Sequence, residues 1–111
     1  MKNSILLLFF SFFLYSCISE SISDISAPIP EKVKYNTNIK NIMSIKCNLC
    51  HKGSTATSYL TYIETKNAIS EILNRIQKNE GSSGAMPQGG PKLSQSEINL
   101  FIKWQEDGLL E

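Results

Sequence analysis

The chain has 111 residues and a formal net charge of +1, which is enough for one domain. Its basic residues are scattered and form no stripe, which excludes a nucleic-acid footprint. A domain this small buries a modest share of its surface, so a staple or a cofactor is expected to make up the shortfall.

The chain opens with Lys2 followed by the apolar run "ILLLFFSFFLY", Ile5 to Tyr15. A membrane-spanning helix wants about 20 apolar residues, so this run has the length of a signal peptide. It ends at "LYSC", which resembles a bacterial lipobox, with Leu14, Ser16 and then Cys17. The resemblance implies a signal peptide over residues 1–16, cleavage before Cys17 and lipidation of that residue. Removing residues 1–16 takes away Lys2 and leaves the mature polypeptide near neutral. The expected location is outside the cytoplasm, in the periplasm and anchored to a membrane through Cys17. Free thiols tend to oxidise there.

Residues 17–34 follow as a flexible tether, Ser-rich with Pro28 and Pro30 and without an apolar stripe. The domain is expected over 35–111. In "NTNIKNIMSIKC" Ile39, Ile42 and Met43 share one helical face, and Asn36 or Asn38 is the expected cap. The helix runs straight into "CNLCH". "KGSTATSY" reads as a loop. "LTYIETKNAISEILNRIQKNE" carries Ile69, Ile72, Leu73 and Ile76 at helical spacing, with a break expected near Asn67. Arg75, the sole arginine, falls at a solvent-facing position of that pattern. "GSSGAMPQGGPKL" is punctuated by glycine and proline and reads as a loop. Ser94 and Glu97 then form a capping-box pattern ahead of a helix bearing Ile98, Phe101, Ile102 and Trp104, with Gly108 as its stop. No alternating strand pattern appears, so the expected fold is all-α, with three to four short helices.

Three chemistries draw on cysteine and histidine side by side. A redox C-x-x-C belongs at the head of a helix in a βαβ setting, whereas here the helix precedes the motif. A structural zinc ion wants four N or S ligands, and Cys47, Cys50 and His51 supply three, with no other His or Cys in the domain. Covalent haem attachment needs C-x-x-C-H, and the match is complete. Residues three apart on a helical turn project to one side, so Cys47 and Cys50 can reach two vinyl groups on one porphyrin edge. His51 would then be the proximal ligand. There is no second histidine for the sixth position. Met1 leaves with the signal, and Met43 lies on the proximal side. Met86 remains, in an extended loop biased by Pro87, and is the expected distal ligand.

Taken together, the helix into "CNLCH", the loop "MPQGGPKLS" and the final helix "EINLFIKWQEDG" resemble a class I c-type cytochrome in its short bacterial monohaem form. The resemblance covers about Tyr35 to Gly108. It implies the small cytochrome c fold around one covalent haem c, bound by Cys47, Cys50, His51 and Met86, with His51 and Met86 on the iron. It implies a terminal helix crossing the first, with Phe101 or Trp104 near the contact. It also implies electron transfer and not catalysis, between redox protein donors and acceptors, with a membrane or periplasmic oxidoreductase among the candidate partners. The alternative is a haem sensor or peroxidase-like protein with an open or labile sixth site. Many relatives carry a proline after the motif whose carbonyl receives the proximal imidazole. No proline stands between His51 and Met86, so the partner of His51 is open.

Overall fold

The computed structural model describes residues 28–54 and 56–111. The expected signal peptide, the expected lipidation site at Cys17 and the expected tether up to residue 27 lie outside the described residues. Within them the chain is all-α and contains no strand; the one β contact is an isolated parallel bridge between Lys34 and Leu110. No helix among the described residues is long and apolar enough to cross a membrane.

The first helix, α1, spans residues 35–47 and is not uniform. A π-helical segment, Tyr35–Ile39, passes into an α segment, Lys40–Ile42, and back into a π segment, Met43–Cys47. In a regular α-helix a step of four residues overshoots one turn. In the wider π turn the same step undershoots. Alternating the two keeps Tyr35, Ile39, Met43 and Cys47 on one side. The first three of these are buried, and Cys47 packs against the core. The expected asparagine cap is absent. The residue preceding the helix is Lys34, and no side chain caps it. Asn38 Oδ1 instead accepts from the Lys34 amide at 2.9 Å and ties down the entering chain.

Helices α2 (Tyr62–Asn67) and α3 (Ile69–Ile76) are separated at Ala68, one residue from the expected break. Thr61 caps α2 through a reciprocal box with Glu64, a T-x-x-E pattern of the same kind as the Ser94–Glu97 box. The stripe Ile69, Ile72, Leu73 and Ile76 is buried throughout. Helix α4 (Gln95–Glu106) starts at the expected Ser94–Glu97 box. Its Ile98, Phe101 and Trp104 are buried, the last two completely.

Helix α4 packs on both α3 and the start of α1. At the latter contact the Tyr35 and Trp104 rings lie 5.8 Å apart, and Tyr62 lies 5.5 Å from Tyr35 and 6.3 Å from Trp104. Offset and edge contacts in this range favour aromatic pairs beyond their area burial. The polar tips are also satisfied: Trp104 Nε1 donates to the Leu110 carbonyl at 2.7 Å and the Tyr62 hydroxyl to the Leu109 carbonyl at 2.8 Å.

The packed unit begins earlier than residue 35. Val33 is fully buried, and its amide donates to Asp107 Oδ2 at 2.8 Å; Tyr35 then donates to the Leu110 carbonyl at 2.8 Å. Both ends of the domain are therefore fastened at one place.

Candidate functional site

α1 delivers the CNLCH stretch as its last turn and exit. Asn48 donates its amide to the Met43 carbonyl at 2.8 Å, closing the π turn. The amides of Cys50 and His51 both donate to the Cys47 carbonyl, at 3.1 and 2.9 Å. The three residues are thereby folded over one turn. Cys47 and Cys50 are not bridged to each other. Cys47 is half-buried against the core, and burial, aided by the negative charge of Glu97, pushes its thiol up to about 11. Cys50 is exposed.

Cys47, Cys50 and His51 line one wall of a cleft of about 670 Å³, and Met86, Pro87 and Gln88 line it from the loop ahead of α4. Ile72 and Ile76 of α3, together with Leu93, give it an apolar surface. Met43, by contrast, is fully buried in the core and does not line the cleft. The volume falls within the range of small-molecule and cofactor sites, roughly 300–1,000 Å³.

His51 is held on two sides. Its Nδ1 lies 2.8 Å from the Thr57 carbonyl. A carbonyl oxygen only accepts, so Nδ1 carries the proton and the Nε2 lone pair is left for a ligand. Its ring stacks on Tyr59 at a centroid distance of 4.5 Å and an interplanar angle of 15°, while the Tyr59 amide donates to the His51 carbonyl at 3.1 Å. The open question of what orients His51 is answered by the loop 57–59. Backbone carbonyls carry no side-chain signature, so no sequence signal marks Thr57. Tyr59, partly buried against the core, also lines the cleft. Burial and the Glu71 carboxylate raise its phenol above the ordinary value, against a lowering effect of Arg75.

The Met86 loop is pinned to α3 by its neighbours. The Met86 amide donates to the Arg75 carbonyl at 3.3 Å, Lys78 Nζ to the Ser83 carbonyl at 3.1 Å and Lys92 Nζ to the Gln77 carbonyl at 3.3 Å. Arg75 does not face solvent alone, as the helical pattern had it. It pairs with Glu71, donates to the Gly84 carbonyl and lines the cleft. A second cavity of about 920 Å³ borders the same loop and shares Arg75, Met86, Pro87 and Gln88 with the first.

Among the described residues no group of three or more His, Cys, Asp or Glu side chains could hold a metal ion. The sulfur and nitrogen donors that share the cleft are two thiols, one imidazole and one thioether, beside the Tyr59 phenol and the Glu71 carboxylate, which is paired with Arg75. A metal with ligands of its own is therefore the kind this set could serve. No protein-family model matches the chain, and no curated protein or solved structure matches it.

Proposed function

We propose that the chain is a monohaem c-type cytochrome that carries single electrons between redox proteins outside the cytoplasm. The observation that carries the reading is that Met86, distant in sequence, lines a single cleft with Cys47, Cys50 and His51 of the CNLCH stretch. Their chemistry suits haem c. Two unbridged thiols one turn apart would hold the haem covalently, and the Nε2 lone pair of His51 and the Met86 sulfur would hold its iron. When bound, the haem supplies a one-electron ferric/ferrous couple, and its own ring nitrogens complete the coordination.

The chain's residues supply the rest. The Thr57 carbonyl keeps His51 in the Nδ1-protonated tautomer and makes the imidazole a better donor. Methionine sulfur favours the ferrous state, which puts the potential on the high side. Ile72, Ile76 and Leu93 present apolar surface that disfavours the additional ferric charge. His51 and Met86 together would hold the iron and leave a substrate no access to it. That favours electron transfer over sensing or peroxide chemistry. Partners would dock weakly, on an interface below about 1,200 Å². Export and a lipid anchor at Cys17 would keep the carrier at a membrane surface.

Met86→Ala tests the ligation. The variant is expected to keep its covalent haem, lose potential and bind carbon monoxide in the ferrous form. A spectrum and potential identical to the parent would overturn the His/Met reading, and rapid carbon monoxide binding by the unaltered protein would point to an open-site haem protein.

A further inference from the structure

The loop that carries Met86 is rich in glycine, with Gly81, Gly84, Gly89 and Gly90 around the methionine. Such a backbone loses more freedom on ordering than any other. A ligand on it is present only for the fraction of time that the loop is ordered, and its apparent affinity falls by that fraction. Something must hold residues 84–86.

Among the described residues, the only side chain bonded to that stretch is that of Arg75. Its Nη1 donates to the Gly84 carbonyl at 3.3 Å, and its own carbonyl receives the Met86 amide at 3.3 Å. Its Nε is paired with Glu71, one turn earlier on α3. Lys78 and Lys92 fasten the loop at Ser83 and Gln77, on either flank, and neither is bonded to residues 84–86. Gly84 stands at φ +74°, and a Cβ there would collide with Arg75 Nη1. The absence of a side chain at 84 is thus what lets the guanidinium seat.

We infer that Arg75 is a positioning residue for the Met86 sulfur. Its side chain and carbonyl clamp residues 84–86 so that the thioether stays at the cleft, and Glu71 holds the guanidinium for that contact. The inference rests on the reading of Met86 as an axial ligand.

The test uses the full-length, haem-loaded protein and two measurements: the rate of carbon monoxide binding to the ferrous form and hydrogen exchange at the Met86 amide. Arg75→Gln removes the guanidinium but leaves the backbone acceptor. It is expected to raise both rates about tenfold or more, as for a tenfold larger open fraction of the loop. Gly84→Ala is expected to raise them at least as far, because it displaces the guanidinium and also strains a backbone held at φ +74°. Arg75→Lys, a point charge without the fork, should fall between. Helicity by circular dichroism should stay at the parent value. Parent rates in Arg75→Gln alongside fast carbon monoxide binding in Met86→Ala would overturn the inference alone. Parent behaviour in Met86→Ala would overturn the ligation reading, and the inference with it. Acceleration only in step with lost helicity would assign Arg75 a merely structural role and overturn the inference too.

Discussion

His51 and Cys47 owe their chemistry to different kinds of neighbour. The imidazole is set by a backbone oxygen, that of Thr57, and by the face of Tyr59. The thiol is set by burial, which disfavours the thiolate, and by the negative charge of Glu97. Cys50, on the same turn, is exposed. The two cysteines should therefore react unequally in polypeptide prepared without haem. At pH 8, iodoacetamide followed by peptide mass mapping should label Cys50 first. Labelling of Cys47 should become fast only as the pH approaches about 11. Equal rates at pH 8 would contradict the burial of Cys47. That CNLCH and Met86 share a cleft could be anticipated, because the proposed haem attachment calls for those residue types. Thr57 could not, since any residue can supply a carbonyl. Arg75 is partly exposed, in keeping with its helical position, but its contact with Gly84 was hidden because helical spacing says nothing of a loop that returns over the helix.

Among the elements, the amphipathic stripe of α3 and the capping box of α4 could be read directly, because each depends on local spacing. The π segments of α1 could not: they serve the line from Tyr35 to Cys47, which only packing reveals. The boundary of the tether was also hidden. Val33 stands alone between Lys32 and Lys34 in sequence, yet it is sealed against the domain and its amide is bonded to Asp107. A carboxylate at a helix C-terminus is on its own unfavourable. Here the Val33 amide and then Lys103 hold the Asp107 carboxyl below the usual carboxylate range. The folded pKa is depressed, so the stabilisation is fully present above the unfolded value near 3.9 and is lost as the pH falls through the folded one. Asp107→Asn should lower the melting temperature at pH 7 and leave a smaller difference from the parent at pH 2–3. Thermal melts at both pH values check this, and a difference that grows on acidification would contradict it.

The whole molecule is closed by the aromatic contact of Tyr35, Tyr62 and Trp104, where the entering chain, α2, α4 and the last residues meet. Trp104 is fully buried, and its indole N–H is spent on the Leu110 carbonyl. Trp104→Ala should cost about 3–5 kcal/mol. In a small domain that is a large part of total stability, so denaturant unfolding should show a largely unfolded variant. A loss below about 1 kcal/mol would mean the contact does not close the fold. The sequence marks Trp104 as an interior aromatic of the last helix. It does not show that this one contact also anchors both ends of the domain, because the partners at Leu109 and Leu110 are again backbone carbonyls.

The central claim is that the cleft between CNLCH and Met86 carries a covalently attached haem. Acid–acetone extraction of the full-length protein, purified from a bacterial host that attaches haem c, tests it most directly, with a pyridine haemochrome spectrum and an intact mass on the pellet. The account predicts that the colour stays with the polypeptide, that the mass rises by one haem, and that Cys47→Ala/Cys50→Ala abolishes both. Colour that passes into the solvent, or protein that never acquires it in such a host, would contradict it.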